Sequence, residues 1–298
     1  MACEIDVRFF QPPAPLDGCF TSFYRLNLTV GEGEQVEDWL QPEWANLRFF
    51  RDARPEATVP GGGKLTDVDF PVTGPSSLPT HFRLGTTRCW GAGLFPLGWA
   101  RFIEGDAYTM ANWLVDGRES PPFARVAPLA DIIFDGPEDD EAEYMRMVAY
   151  FMALNKPHHD EDRIRAIHAA LLSPEVHSVA DFARRVDITP RTLDRLCRRY
   201  FGFPPKLLLR RQRFMRSLAD WMIGGGYWTD ALDAQYFDQS QFTREFKAFM
   251  TMSPSEYAAL DHPILGAFMA QRARIWGSAA QTLDRPDSGR IKKPSPVA

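Results

Sequence analysis

Two stretches of the chain read alike: Val179–Phe201, VADFARRVDITPRTLDRLCRRYF, and Thr229–Met250, TDALDAQYFDQSQFTREFKAFM. Each is a short helix-like segment, a break, and a longer amphipathic segment carrying arginine. That is the sequence form of a helix-turn-helix, and a tandem pair is far more specific than a single one. In the first, Ser178 reads as the N-cap of a helix over Val179–Val186, with Phe182, Ala183 and Val186 facing inward. Asp187–Ile188 reads as the turn, and Thr189-Pro190 opens the next helix with an N-cap and an N1 proline. Leu193, Leu196, Cys197 and Tyr200 then fall at core spacing. Arg191, Asp194, Arg195 and Arg198 share the opposite face at i, i+3, i+4 and i+7. An exposed stripe of this kind at a helix N-terminus can enter the major groove, where arginine makes two bonds to guanine. Arg198, Arg199 and Lys206 suit phosphate contacts, which position the protein but carry little sequence information. Gly202 reads as a C-cap. Pro205–Ile223 reads as one long helix joining the two units, with a basic cluster at Arg210, Arg211, Arg213 and Arg216.

Charge supports this once it is divided along the chain. The total is −5. Residues 1–159 hold 13 Lys/Arg and 23 Asp/Glu, a net of −10, whereas residues 184–216 hold 11 Lys/Arg and two acids, a net of +9. An acidic module joined to a concentrated basic patch suits a nucleic-acid partner. The 298 residues suggest two domains, and 45% hydrophobic with 24% charged residues suggests a globular chain with sizeable cores. No run of apolar residues is long enough for a membrane span. MACEIDVRFF lacks the basic start and long apolar stretch of a signal peptide. Cys3, Cys19, Cys89 and Cys197 show no CxxC spacing and read as free thiols in a cytoplasmic, nucleoid-associated protein.

Residues 1–155 are aromatic and turn-rich. Short apolar runs at Val7–Phe10, Phe20–Leu28, Leu47–Phe50 and Cys89–Phe95 are split by PPAP, GEGE, PGGG and TGPSS, which predicts strands of a β-rich domain. Phe95–Phe102, Asp106–Leu114 and Asp139–Ala153 read as helical pieces, the last with acids at its start. His81 is the only histidine before residue 155, so neither a metal site nor another cofactor is expected. No GxSxG, HExxH, GxGxxG or P-loop occurs. The aromatic residues Phe23, Tyr24, Trp39, Trp44, Phe49, Trp90, Phe95 and Trp99 suit a core first. They also suit a small-molecule pocket with Trp44 and Trp90 in its lining and Arg48, His81 and Arg88 as polar groups.

NKPHHD at 155–160 reads as a boundary. It is followed by a helix over Asp160–Leu172 with Ile164, Ile167 and Leu171 on one face. From here the sequence resembles the AraC/XylS family of bacterial transcription regulators over roughly residues 160–260. The resemblance is carried by LSP at Leu172, SVADFARRVDITPRTLDRLCRRYFG, FDQSQFTREFKAFM and MSPSEY. It implies seven helices with two helix-turn-helix units on successive major-groove segments, about one helical turn or ~34 Å apart. Carried onto this sequence, the first base-reading face is Arg191, Asp194 and Arg195. The second is Gln239, Ser240, Thr243 and Arg244, with Lys247 near a phosphate. The second unit departs from the family pattern, with Asp230 at an apolar position and Gln235-Tyr236 in place of Gly-Phe. Base specificity is therefore expected to concentrate in the first unit. RCWGAGLFPLGWARFI, Arg88–Ile103, is weakly similar to a β-rich domain of some members.

The expected fold is α+β: a β-rich sensor or dimerisation domain over residues 1–155, an all-α DNA-binding domain with two helix-turn-helix motifs over 156–262, and a C-terminal helix and polar tail over 263–298. Ile264–Trp276 reads as an extra helix packing on the DNA-binding part or on a partner chain, and Asp284–Ala298 as disordered. The function implied is a non-enzymatic transcription regulator binding double-stranded DNA. A small-molecule effector, homodimerisation through the N-terminal part and RNA polymerase are further partners that the reading admits. Two alternatives stay open. One is a catalytic N-terminal part fused to a DNA-binding tail, which would need a reactive cysteine; Cys89 follows Arg88, but the rest of such a site is absent. The other is a protein-interaction module with weakened DNA binding, suggested by Asp230 and Gln235.

Overall fold

The computed structural model describes residues 3–225, 227, 229, 233, 236, 238–277 and 280–285. Asp230 and Gln235 lie outside them, as do residues 286–298 of the expected polar tail. The β-rich part forms two antiparallel sheets among the described residues. The larger contains β1 (Glu4–Phe10), β2 (Phe20–Thr29), β4 (Ala45–Phe50), β7 (Pro71–Thr73), β9 (Thr87–Leu94) and β10 (Leu114–Asp116), in the order β1-β2-β9-β4-β7-β10. The smaller contains β3 (Val36–Leu40), β5 (Glu56–Val59), β6 (Gly63–Leu65) and β8 (Thr80–Leu84), in the order β3-β8-β5-β6.

The four apolar runs singled out in the sequence are β1, β2, β4 and β9, four adjacent strands of the larger sheet. Successive side chains on a strand point to opposite faces, and here both faces are covered. One face carries Arg25, Leu47, Phe49, Arg88, Trp90 and Ala92 toward helices. The other carries Tyr24, Leu26, Asn46, Arg48, Phe50 and Cys89 toward the smaller sheet. All eight residues of β9 are therefore buried. Gly91 is required there, because a Cβ would lie 1.9 Å from the ring of Tyr24, its neighbour on β2.

The helix-facing side packs on α1 (Pro96–Phe102), α2 (Leu129–Ile132) and α3 (Asp140–Leu154). Asp139 caps α3, its carboxylate accepting the Ala142 N–H at 2.9 Å. The first carboxylates of α3 then hold the sheet. Asp140 accepts from Arg25 Nε at 3.0 Å and Arg88 Nη2 at 2.7 Å, and Glu143 accepts from Arg88 Nε at 2.9 Å and Trp90 Nε1 at 2.5 Å. Burial works to raise the Asp140 carboxyl, but the guanidiniums of Arg25, Arg88 and Arg8 outweigh it and bring it down to about 2.

The same apolar core continues without a break into α4 (Glu161–Leu171), α5 (Val179–Arg185), α6 (Pro190–Leu196) and the first turns of α7 (Pro205–Gly224). Packing thus crosses residue 155, where composition suggested a boundary. A second core joins α7 to α8 (Gln239–Met250), α9 (Pro254–Ala258) and α10 (Pro263–Trp276). The C-terminal helix does not pack on the DNA-binding part alone. Phe268 and Trp276 of α10 meet Phe9 of β1 at 5.6 and 5.1 Å between ring centroids. Asp284, read as the start of a disordered tail, is buried and ion-paired with Arg272.

His168 of α4 lies in the shared core against Trp44, Phe95 and Phe201. Burial, aided by Arg211 and Arg165, pulls its pKa down to about 3. The unfolded chain takes up this proton near pH 6.5, so the contribution of neutral His168 is complete above that pH and is lost as pH falls toward 3. Stability should drop by about 1.5 kcal/mol between pH 6.5 and 5 from this group alone. Urea titrations of wild type and His168→Gln at both pH values check this; equal pH slopes for the two proteins would remove His168 as the cause.

Candidate nucleic-acid interface

The first helix pair is built as its sequence suggests. Ser178 Oγ accepts the Asp181 N–H at 3.1 Å and caps α5, and Thr189 Oγ1 accepts the Thr192 N–H at 3.2 Å and caps α6. Asp187 takes φ 51° in the turn between them. Leu193, Leu196, Cys197 and Tyr200 are buried. After Leu196 the helix widens into a π-turn over Cys197–Phe201, and Gly202 closes it at φ 83°. That positive φ favours glycine, and a Cβ there would also lie 2.8 Å from Pro75 of the β-rich part.

The exposed side of α6 is ordered by charge. Arg191 and Arg195 are exposed and make no hydrogen bond or ion pair among the described residues. Asp194 accepts Arg198 Nε at 2.8 Å, so these two side chains share one position on the face. The guanidinium of Arg198 also lies 5.0 Å over the ring of Tyr108, and Arg199 lies 3.4 Å from Asp106. A 3-10 turn over Ala107–Met110 therefore rests against two of the arginines read as phosphate contacts. Sequence alone does not single out Asp106 and Tyr108, because 90 or more residues separate them from Arg198 and Arg199 in the chain. Lys206 is exposed at the start of α7.

The second recognition helix, α8, is capped by Asp238, whose carboxylate accepts the Gln241 N–H at 2.6 Å. Gln239, Ser240, Arg244 and Lys247 are exposed and Thr243 is half-buried, its hydroxyl donating back to the Gln239 carbonyl at 2.9 Å. Phe242, Phe246 and Phe249 fill the core side with Tyr257. Glu245 also points inward. It accepts from Arg210 Nε at 2.9 Å, Arg213 Nη2 at 2.6 Å and the Tyr236 hydroxyl at 2.8 Å. The signal for this was present: a carboxylate on the apolar side of α8, with a surplus of arginine on α7.

The basic cluster of α7 is accordingly not a free surface. Arg210 and Arg213 are neutralised by Glu245, and Arg216 by Asp233 at 2.5 Å. Arg211 is 0% exposed, lies 4.1 Å over the Trp44 ring and donates to the Ser76 carbonyl at 2.8 Å. Burial pulls its pKa down to about 9. The net of +9 counted along the chain thus overstates the charge available to a nucleic acid.

The N-terminal pocket candidates separate in the structure. A cavity of about 140 Å³ lies between the two sheets. Arg48 borders it; Trp44, Trp90 and His81 do not. Trp90 points to the opposite face of β9 from the cavity, and Trp44 packs on His168 and Phe201. His81 alternates with Thr80 and Phe82, which face the cavity, so it points outward and pairs with Glu37 at 2.5 Å. Of the other aromatics considered, only Tyr24 lines the cavity, and Arg88 is held by Glu143 and Asp140. Further bordering polar residues include Glu43, Asn46, Thr73 and Gln281, which are scattered in sequence and meet only on folding. Among the described residues, no group of three or more His, Cys, Asp or Glu could hold a metal ion, and no helix is long and apolar enough to cross a membrane.

Residues 182–259 match the family model described as a helix-turn-helix domain. No curated protein matches the chain. Among solved structures, ToxT from Vibrio cholerae is similar at 12% identity and a TM-score of 0.41, with 86% of this chain and 96% of that chain covered. ToxT from the same organism in an unsaturated-fatty-acid-bound form is similar at 12% identity and a TM-score of 0.39, covering 86% and 94%. The AraC-like transcriptional activator CuxR is similar at 14% identity and a TM-score of 0.29, covering 72% and 87%. On the family match and the two capped helices α6 and α8 inside it, residues 182–259 of this chain form a helix-turn-helix domain of the AraC type.

Proposed function

We propose that the chain is a sequence-specific regulator of double-stranded DNA in which α6 reads bases with Arg191, Asp194 and Arg195. In this reading α8 reads a second segment with Gln239, Ser240, Thr243 and Arg244, while Arg198, Arg199, Lys206 and Lys247 hold phosphates. The observation that carries the proposal is the α6 face. Two arginines stand exposed on a capped recognition helix with no partner among the described residues, where a guanidinium can form two parallel bonds to a guanine edge. The sequence departures of the second unit at Asp230 and Gln235 support a division of labour, with base discrimination concentrated on α6.

Arg195→Ala should weaken binding to the specific site by about 1–3 kcal/mol and relax preference at one base position. Lys247→Ala should instead weaken binding across all sequences and lower the salt slope by about one. Fluorescence anisotropy over a range of salt concentrations, on a site selected from random DNA, measures both. If Arg195→Ala left affinity and base preference unchanged, α6 would not be the reading helix.

Control by the N-terminal part is the finer half of the proposal. The cavity between the sheets favours a small-molecule effector over dimerisation alone, because it is preformed and mostly apolar with a few convergent polar groups. The turn bearing Asp106 and Tyr108 offers a second route of control. Any shift of that turn changes how free Arg198 and Arg199 are to meet phosphates.

A further inference from the structure

We propose that the cavity between the two sheets binds an uncharged, largely apolar molecule the size of a single ring or short chain, and that α10 and Met215 transmit its occupancy to the second helix-turn-helix unit. The inference rests on the effector-control reading and names the chemical class of the effector and its route.

The class follows from the lining. Leu26, Phe50, Ala57, Phe82 and Leu84 come from the two sheets, and Phe268 from α10. Among the described residues, three charged ones border the space: Glu43, Arg48 and Arg272. Each already has its counter-ion. Arg48 Nη2 lies 2.5 Å from Glu43, and Arg272 is paired with Asp284. Glu43 also accepts from Thr73 Oγ1 at 3.0 Å, from Asn46 Nδ2 at 3.2 Å and from the Gln281 side chain. Arg272 Nε is buried with no hydrogen-bond partner among the described residues and can donate to a ligand oxygen while Arg272 stays paired with Asp284. The charges of Glu43, Arg48, Arg272 and Asp284 already sum to zero, so a carboxylate would add a negative charge beside Asp284 and Glu43, and an ammonium a positive one beside the two arginines. Either leaves a buried charge uncompensated, which opposes binding. An uncharged ligand meets no such obstacle. The Cys89 thiol on the wall stays protonated, pushed up to about 12 by burial, and adds no charge. The hydroxyls of Ser22, Thr73 and Thr80 border the space and can serve one hydroxyl or carbonyl group of a ligand.

Size sets a second limit. About 140 Å³ is close to the volume of an engineered core cavity that takes up benzene, and smaller than a drug-sized pocket.

The route follows from which elements close the cavity. Ile264, Leu265, Phe268 and Met269 of α10 form a wall, and Met215 of α7 reaches the same space. Gln41, also in the lining, donates to the Tyr257 hydroxyl at 3.3 Å. Tyr257 in turn packs on Phe246 of α8, 5.6 Å between ring centroids. An occupant therefore touches the β-rich part and the core that supports α8 at once. A ligand shifts a conformational equilibrium only through such differential contact.

The test uses the full chain with indole and benzyl alcohol as uncharged probes, and benzoate and benzylamine as charged ones of similar size. Indole or benzyl alcohol should raise Tm by about 3 °C or more well above its Kd and change DNA affinity by about fivefold or more. Benzoate and benzylamine should do neither. Ala57→Phe fills the space and should abolish the shift; Ala57→Leu serves the same purpose should the larger side chain prevent folding. A benzoate or benzylamine shift as large as that of the uncharged probes would overturn the class while leaving effector control standing. Binding of an uncharged probe that leaves DNA affinity within about twofold would overturn the route, and effector control through this cavity with it. No response of wild type to any probe would remove the cavity as a site for this class.

Discussion

Glu245→Ala should unfold the second helix pair by about 3 kcal/mol, because it leaves two arginines without their counter-charge in a mostly buried setting. Among the described residues, the ion pairs between α7 and α8 are those this carboxylate makes. It takes Arg210 and Arg213 on one oxygen and the Tyr236 hydroxyl on the other. Removing it exposes both guanidiniums to repulsion and opens the packing of Phe242 and Phe246 against Phe214. Arg210→Ala should cost less than about 1 kcal/mol, since Arg210 is partly solvated and Arg213 still holds Glu245. Urea unfolding of the two variants gives the comparison. A loss below about 0.5 kcal/mol for Glu245→Ala would mean that apolar packing alone holds α8. DNA binding supplies a second readout: if α6 dominates base reading, Glu245→Ala should lower affinity while leaving preference at the α6 half of the site intact.

Asp38→Ala should detach the start of α10, at a cost of about 3 kcal/mol from several lost charge-assisted bonds to buried donors. Asp38 is 0% exposed, and one of its oxygens accepts the N–H groups of Ile264 and Leu265 at 2.9 and 2.7 Å. The other lies 3.1 Å from His262 Nδ1 and accepts the Trp39 N–H at 2.6 Å. A negative charge at a helix N-terminus is favoured by the aligned peptide dipoles, and here it joins β3 to the helix that walls the cavity. Asp38→Asn keeps the shape and loses the charge, so it should cost about half as much. Amide hydrogen exchange across Ile264–Met269 is the direct measure: protection should fall sharply in Asp38→Ala and partly in Asp38→Asn. Unchanged protection in both would show that α10 is held by Phe268 and Trp276 instead.

Glu245 and Asp38 mark the limit of what the chain discloses before it folds. The periodicity of Val179–Phe201 carries its own helix ends, because Ser178, Thr189-Pro190 and Gly202 act on backbone groups within a few residues of themselves. The strands β1, β2, β4 and β9 were legible for a similar reason: they are long or continuously apolar, and Gly/Pro breaks bound them. The strands β3, β5, β6 and β8 were not. They run three to five residues and include charged side chains at the solvent-facing positions, so no apolar run stands out.

By itself the sequence determined the class of the C-terminal region, its two recognition helices and the side chains that face outward on them. These depend on local capping and on the 3.6-residue period, which act over a few residues. Tertiary structure alone decided which charges are available and where a ligand can sit. Four of the arginines counted as basic surface are consumed by Glu245, Asp233 and the core around Trp44. Arg48, chosen as a polar pocket group, does border a cavity, but with its charge cancelled by Glu43. The helix read as an appendage is the wall of that cavity. Pairing and enclosure join residues as far apart as Asp38 and Ile264, and no local rule of the chain specifies which distant partner a side chain will meet.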